Sequence, residues 1–187
     1  MGLTAAAQAR EEATEVAVPR AAAAARVDGV LDDACWRSAA RITGFATPGK
    51  FAEPGKQVSV LLTYDDRALY LAARCAEPQP AQVKVLAQEG MHRVWQDDCL
   101  EIFLRTGDSA LDVDHFVASS TGVKQAERVR AGRYEPDLAP TWEAAGRVGE
   151  ADWSVQAAIP FAALETAAPA PGQMLQLALG REDYTGP

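Results

Sequence analysis

The stretch Val94-Trp95-Gln96-Asp97-Asp98-Cys99-Leu100-Glu101-Ile102-Phe103-Leu104 carries the pattern on which the fold prediction depends. Its second half alternates aliphatic residues with Cys99, Glu101 and Phe103, which predicts a strand whose even-numbered positions are buried. Trp95 lies in the loop that enters this strand. A flat apolar ring near a carboxylate is the minimum needed to hold a sugar. A core tryptophan and a solvated surface glutamate would give the same pattern, so the stretch alone leaves both interpretations open.

The bulk composition predicts one globular domain. The chain has 187 residues, of which 48% are hydrophobic and 24% are charged, as in ordinary globular proteins. Its 18 Lys and Arg against 26 Asp and Glu give a net charge of −8, and this disfavours nucleic acid as a partner because phosphate binding needs a basic surface. No apolar run approaches the roughly 20 residues that cross a bilayer, so no membrane span is expected.

The three cysteines, Cys35, Cys75 and Cys99, cannot all pair within one chain, and none has a C-x-x-C spacing. Cys75 and Cys99 fall inside apolar strand patterns. We therefore expect small buried hydrophobic residues rather than a disulfide framework.

The first 25 residues are alanine-rich and charged, with no aromatic residue. This composition predicts a flexible segment or a short helix outside the folded unit, which would occupy residues 26–187. No leucine-rich signal-peptide core is visible. We expect either that the protein stays inside the cell or that its natural start lies upstream of Met1.

After residue 26, at least seven short strand candidates follow one another with turn signals between them. These segments are 57–63, 69–75, 100–104, 115–119, 122–130, 142–148, 151–159 and 174–179. The pattern predicts an all-β fold, an antiparallel β-sandwich of the jelly-roll or immunoglobulin-like kind with one or two short helices. One such helix would begin at Asp32 or Asp33, with Trp36 packing into the core.

Four landmarks occur in an order that resembles the family 9 carbohydrate-binding modules. They are Val27-Asp28-Gly29 with Leu31-Asp32 and Trp36, Tyr64-Asp65-Asp66 before Leu69-Tyr70-Leu71, Trp95 to Leu104, and Trp153 leading to Ile159-Pro160-Phe161. Modules of this family are β-sandwiches attached to xylanases and to other polysaccharide-degrading or surface proteins. The resemblance extends from residue 26 to near the C-terminus and implies a carbohydrate-binding domain of the same DOMON-like fold.

The resemblance also implies a site. Trp95 matches the tryptophan that stacks on a sugar ring in the family, and Glu101 matches the glutamate that accepts hydrogen bonds from the ring hydroxyls. Asp98, in the same motif, is a third candidate. Such a site binds a mono- or oligosaccharide, or the end of a polysaccharide chain, without breaking a bond.

Three positions depart from the family pattern. A second tryptophan comes from a segment after the last matched strand, and this chain stops at Pro187, so we expect the module to be truncated at its C-terminal end. Val117 stands where the family has an arginine, and Ala178 stands where it has a polar residue. His115 and Arg181 are the substitutes that we suggest for the missing polar contacts.

Other interpretations remain open at this point. Trp95 and Glu101 would also suit a sandwich that serves only as a structural or protein-interaction module. Met91, His92 and His115 could suggest haem, but the chain has no C-x-x-C-H motif. Two widely separated histidines disfavour zinc. The acidic residues at 108–114, or the pair Asp97 and Asp98, could hold Ca²⁺, so calcium stays open although no cofactor is required.

A hydrolase within this chain is disfavoured. Glycoside hydrolysis needs two carboxylates across a deep cleft, and one small sandwich offers little from which to build that cleft. We therefore expect a non-catalytic domain of a longer protein, accessory to polysaccharide breakdown by a glycoside hydrolase domain next to it. The resemblance implies an extracellular or periplasmic location.

Overall fold

The strand candidates at 57–63 and 69–75 form a hairpin. In a computed structural model, Val58–Tyr64 and Ala68–Ala76 pair as antiparallel strands. Asp65 closes the turn between them, since its Oδ1 accepts the backbone N–H groups of Arg67 and Ala68 at 2.7 and 3.0 Å. The structure describes residues 14–46, 55–90, 92–109, 111–136 and 141–184.

Ten strands are present in these residues. In chain order they are β1 (Ala40–Ile42), β2 (Val58–Tyr64), β3 (Ala68–Ala76), β4 (Cys99–Arg105), β5 (Val113–Ser119), β6 (Lys124–Arg130), β7 (Arg133–Pro136), β8 (Glu143–Val148), β9 (Asp152–Pro160) and β10 (Gln176–Glu182). The helical elements are three short 3₁₀ helices, Ala34–Arg37, Pro80–Gln82 and Val94–Gln96.

The strands form two five-stranded antiparallel sheets. The first has the order β1-β2-β3-β9-β8 and the second the order β10-β4-β5-β6-β7. The predicted all-β antiparallel sandwich is confirmed. β1 and β7 were not predicted, because one has three residues and the other has no buried residue.

The core lies between the two sheets. Leu100, Ile102 and Leu104 of β4 are buried there, as their alternation predicted, and they meet residues such as Leu71 and Trp153 from the first sheet. The free cysteines are also buried, in agreement with their prediction as small hydrophobic residues.

A second cluster covers the outer face of the first sheet. Trp36 is buried there against Cys35, Tyr70 and Ala72, so the prediction that Trp36 packs into a core is confirmed. The turn at Gly29 is fixed to β9 by two polar side chains. Its N–H donates to the buried Gln156 Oε1 at 2.8 Å, and its carbonyl accepts a hydrogen bond from Ser154.

The described part of the N-terminal segment is extended. Ala21 donates its N–H to the Tyr64 carbonyl at 2.7 Å, and Thr63 donates its hydroxyl to the Pro19 carbonyl. The short helix considered before Arg26 is not formed in residues 14–25, and residues 1–13 lie outside the described part. No helix in the described ranges has the length and apolar character needed to span a membrane.

Candidate functional site

The outer face of the second sheet gathers the predicted site residues of β4 and β5. Glu101 lies opposite Val117 of β5 and Gly180 of β10. One pair further along, Phe103 lies opposite His115. Because side chains alternate across a strand, these residues point away from the core that holds Leu100 and its neighbours.

Trp95 is positioned by the turn at Arg93 and the short 3₁₀ helix that follows it. Arg93 has a left-handed backbone, with φ of 82°, and this turns the chain into the 3₁₀ helix Val94–Gln96. The N–H groups of Arg93 and Val94 both donate to Gln125 Oε1, at 2.7 and 3.0 Å. The half-buried Trp95 then packs beside Val94 and Val117. Val117, the β5 residue that pairs with Glu101, thus belongs to the cluster against which Trp95 packs.

Three titratable side chains form a row across the face: Glu101 on β4, His115 on β5 and Glu127 on β6. His115 Nδ1 lies 2.9 Å from Glu127 Oε1, and His115 Nε2 lies 3.2 Å from Glu101 Oε2. The imidazole stacks on Phe103 with ring centroids 4.1 Å apart and planes 7° apart. Tyr134 donates its hydroxyl to Glu127 Oε2 at 2.7 Å.

The environment shifts the pKa values of this row. Burial lowers the pKa of His115, but the carboxylates of Glu101 and Glu127 raise it, and the net pKa lies above the ordinary value. Burial raises the pKa of Glu127, whereas hydrogen bonds from Tyr134 and His115 lower it, and the net shift is downward. Burial, followed by the charge of Glu101, raises the pKa of Glu182. The row therefore combines a histidine whose protonated form is favoured with several acceptor carboxylates.

Room for a ligand exists beside Glu101. A Cβ added to Gly180 would lie 3.8 Å from Glu101 Cβ, with no closer atom. The face therefore presents a half-buried indole, a carboxylate and a glycine gap. This arrangement can accept hydrogen bonds from sugar hydroxyl groups and cover the apolar face of a sugar ring, without any bond being broken.

The family model described as "Carbohydrate family 9 binding domain-like" matches residues 27–185. The chain belongs to this family. Its members are carbohydrate-binding domains without catalytic activity, in agreement with the prediction of a binding domain and with the resemblance that the landmarks indicated. No curated protein sequence matches the chain.

Solved structures share the fold of this family 9 domain. A family 9 module of Caldicellulosiruptor kristjanssonii in complex with glucose has a TM-score of 0.63 at 18% identity, covering 89% of this chain and 78% of that one. A family 9 module of Caldicellulosiruptor kristjanssonii in complex with cellotriose has a TM-score of 0.62 at 18% identity, covering 87% of this chain and 74% of that one. A candidate carbohydrate-binding protein of Bacteroides uniformis ATCC 8492 has a TM-score of 0.64 at 16% identity, covering 78% and 72%.

Arg181, a suggested sugar contact, lies on the core side of β10 in the family 9 domain. It pairs with Leu100, so its side chain points to the opposite face from Glu101. The guanidinium, only 6% exposed, donates to the Ala76 carbonyl at 2.8 Å and to Glu77 Oε2 at 3.1 Å. It lies 5.4 Å from the centroid of the Trp153 ring.

Asp97 and Asp98 support the loop that carries Trp95. Both side chains are buried. Asp97 Oδ2 accepts the N–H of Ala87 at 2.6 Å, and Asp98 Oδ2 accepts the N–H of Lys84 at 2.8 Å. Burial raises the pKa of Asp98. The buried Asp98 therefore stabilises the loop through its backbone contact.

Tyr184 is a candidate site residue that the sequence reasoning missed. It follows β10, is 46% exposed, and donates its hydroxyl to the Trp95 carbonyl at 3.0 Å. Lys84 Nζ lies 4.2 Å from the centroid of its ring. The sequence signal was available, because Tyr184 is an aromatic residue placed after the last strand, where the family resemblance implied one.

One group of three carboxylates converges within the described residues. Oxygen atoms of Glu77, Asp98 and Asp183 lie within 4.8 Å of one another. Lys56 Nζ lies 2.9 Å from Glu77 and 3.1 Å from Asp183, and Arg181 also contacts both. Lys56 and Arg181 therefore already engage Glu77 and Asp183, and Asp98 accepts the backbone N–H of Lys84. The donor set fits an ion-pair network better than a calcium site, which needs free oxygen ligands.

The acidic loop between β4 and β5 uses its carboxylates in a similar way. Asp114 is buried between Arg128 and Arg130, with contacts of 2.8 Å to each. Asp112 accepts the N–H of Ala131 at 2.7 Å. Apart from residue 110, which lies outside the described ranges, this loop contributes no member to a convergent carboxylate group.

The histidines do not form an iron site in the part of the chain that the structure describes. His92 is exposed, and both ring nitrogens of His115 face carboxylates. Met91 lies outside the described residues. The geometry therefore gives no support to the haem interpretation.

Proposed function

We propose that this family 9 domain binds a pyranose ring on the outer face of its second sheet. In this proposal Trp95 supplies the stacking surface, and Glu101 accepts hydrogen bonds from sugar hydroxyl groups. Tyr184 provides a second aromatic side chain beside Trp95. The observation that carries the proposal is that Trp95 packs against the cluster containing Val117, while Glu101 pairs with Val117 and has the Gly180 gap next to it.

Glucose and short β-glucans are the proposed ligand class. The solved family 9 module from Caldicellulosiruptor kristjanssonii binds glucose and cellotriose. The outer face of this chain offers what such a ligand needs, since carboxylate oxygens accept hydroxyl protons and an indole covers the apolar C–H face of a pyranose. His115 and Glu127 act behind Glu101, whereas Arg181 and Asp98 support the fold.

The binding test is a titration with glucose, xylose, cellobiose and cellotriose, followed by calorimetry and by tryptophan emission. Sugar concentrations reach about 50 mM, which nearly saturates a site with a Kd of a few millimolar. We expect saturable binding of the gluco-configured sugars. Absence of heat and of any emission change with all four sugars would contradict the proposal.

Two variants test the roles of the site residues. Trp95→Ala removes the stacking surface, and Glu101→Gln removes an ionised acceptor; each should weaken binding by about tenfold or more. Glu143→Gln is the matched control, because it makes the same change at an exposed position of β8 on the other sheet. Its affinity should equal that of the unsubstituted protein.

Thermal unfolding of Trp95→Ala distinguishes binding from a structural role. Trp95 is half-buried against Val94, Cys99 and Val117, so its truncation should cost no more than about 1–2 kcal/mol if its exposed part serves the ligand. A larger loss of stability, together with no sugar binding by the unsubstituted protein, would favour the structural or protein-interaction module instead.

We also propose that the domain is accessory to polysaccharide breakdown by a catalytic domain, outside the cytoplasm. This rests on the kind of protein in which the family occurs rather than on a contact in the structure. Fractionation of the source cells, with immunodetection of the domain, tests the location. Detection in the cytoplasmic fraction alone would contradict it.

A further inference from the structure

His115 lies between two carboxylates on the sugar-binding face proposed above. Its Nδ1 is 2.9 Å from Glu127 Oε1 on β6, and its Nε2 is 3.2 Å from Glu101 Oε2 on β4. The side chain is 13% exposed. Nε2 is buried and makes no well-directed hydrogen bond to any described residue, so its contact with Glu101 is mainly electrostatic.

The orientation of this imidazole is fixed from two sides. Phe103 stacks on one ring face at 4.1 Å. Glu127 accepts hydrogen bonds from Tyr134 at 2.7 Å and from Gln125 at 3.3 Å, so its carboxylate is held in place for Nδ1. Because the ring cannot turn without losing these contacts, Nε2 has to face Glu101.

The charged groups around the ring are mostly acidic. Glu101 on β4 and Glu127 on β6 contact it directly, and Glu182 on β10 adds its charge beside Glu101. Tyr134 of β7 is engaged with Glu127. Arg105, further along β4, instead donates to the Gln176 side chain and the Ser109 carbonyl. Within the described ranges, the positive charge in direct contact with Glu101 is therefore that of His115.

We propose that His115 is a positioning residue that makes sugar affinity depend on pH, a proposal that rests on the sugar site at Glu101. Protonated His115 carries a proton on both nitrogens, so that its positive charge attracts Oε2 of Glu101 and leaves Oε1 for the ligand. Neutral His115 has one proton. Glu127, the nearer acceptor, keeps it on Nδ1, and the Nε2 lone pair then faces Oε2.

Loss of the proton therefore releases Glu101. An acceptor facing an acceptor at 3.2 Å is repulsive, and Glu101 also loses the cation that offsets its acidic neighbours. Burial opposes protonation of His115, but the two carboxylates prevail and hold its pKa above the ordinary value. Affinity should thus be high below this raised pKa and should fall as pH rises through it.

The experiment measures the Kd for cellobiose by calorimetry between about pH 5.5 and about pH 9.5, the range in which a raised histidine pKa would titrate. In the unsubstituted protein we expect the affinity to fall by about fivefold to tenfold in one step as His115 loses its proton. His115→Gln should bind weakly at every pH with no step. Glu127→Gln should move the step to lower pH, because it removes one of the two carboxylates that favour the protonated ring.

His92→Gln is the matched control, since it removes the other histidine, which is exposed, and leaves the one that contacts Glu101 in place. It should keep the full pH-dependent change in affinity. Binding with a flat pH profile in the unsubstituted protein, or an unchanged step in His115→Gln, would overturn this inference and leave the sugar site standing. Absence of sugar binding at every pH would overturn both.

A readout independent of sugar is the NMR titration of the imidazole C–H signals, assigned with the two histidine variants. We expect the His115 signal to titrate above the ordinary histidine pKa and to move to lower pH in Glu101→Gln. A His115 signal that titrates at or below the usual range would show that the carboxylates do not hold the proton, and would overturn the inference even without a ligand.

Discussion

Tyr184 donates a hydrogen bond from its hydroxyl to the main-chain carbonyl of Trp95 across 3.0 Å. The two residues are 89 positions apart, yet the segment after β10 crosses the loop before β4 because these strands are neighbours in the second sheet. Tyr184 therefore ties the indole-bearing loop to the end of the last strand, and it places a second aromatic ring at the proposed site.

Tyr184→Ala should weaken cellobiose binding by about tenfold, because it removes both the ring and the tie to Trp95. Tyr184→Phe keeps the ring and loses the hydrogen bond, so a smaller loss of about twofold to fivefold is expected. Calorimetry gives the affinities. Equal affinity of both variants and the unsubstituted protein would remove Tyr184 from the site.

Gly180→Leu should block the site without unfolding the sheet. The new Cβ would make only an ordinary contact, 3.8 Å from Glu101 Cβ, while the longer side chain fills the gap beside the carboxylate. We expect affinity to fall by more than about tenfold and Gly180→Ala to show a smaller loss. Retained affinity in a folded Gly180→Leu protein would place the sugar elsewhere.

Arg181→Met should reduce stability and leave the sugar affinity of the folded protein unchanged. Its guanidinium, 6% exposed, contacts the fully buried Glu77, and removing one partner of a buried pair leaves an uncompensated charge. With Lys56 still beside Glu77, we expect a loss of about 2–4 kcal/mol in the free energy of unfolding by urea.

The matched control is Arg74→Met, which breaks a surface pair with Asp152 in which the arginine side chain is 59% exposed. An exposed pair contributes at most about 1 kcal/mol. A stability loss in Arg181→Met as small as that of the control would show that the buried network is not a support of the fold.

Acid should destabilise the domain in part through Asp65. Burial raises the pKa of this carboxyl, but backbone N–H groups of Arg67 and Ala68 and the hydroxyl of Tyr70 bind the ionised form, and the net pKa is lowered. A folded pKa below the unfolded one gives stability that is present above the unfolded pKa and is lost as pH falls through the folded pKa.

The free energy of unfolding should therefore decrease from about pH 6 to about pH 3. Asp65→Asn should be less stable at pH 6 and should show a smaller decrease. The measurement is urea unfolding followed by circular dichroism at each pH. An equal pH dependence in both proteins would contradict the assignment of this turn as an acid-sensitive contact.

Local alternation explains why the sandwich could be predicted. Leu100, Ile102 and Leu104 repeat every second residue and become buried together, and that period belongs to any half-buried strand. The same alternation could have placed Arg181 on the inner face of β10. If Leu177 and Leu179 point inward, Arg181 does so too, and Gly180 then lies on the outer face with Glu101.

The residues of β7 could not be predicted in this way. Arg133, Tyr134 and Glu135 are exposed, so no buried face imposes a period on them. Their strand exists because β6 offers an edge to which they pair. Tyr134 acquires its role only there, where its hydroxyl reaches Glu127 of the neighbouring strand.

By itself, the sequence determined the sandwich, the inward face of β4 and the identity of Trp95 and Glu101 as candidate ligand residues, because side-chain alternation and short motifs are local properties of the chain. Only the tertiary structure decided that His115 stands between Glu101 and Glu127 and that Tyr184 reaches Trp95. Those contacts depend on the pairing register of strands far apart in sequence, which no local pattern encodes.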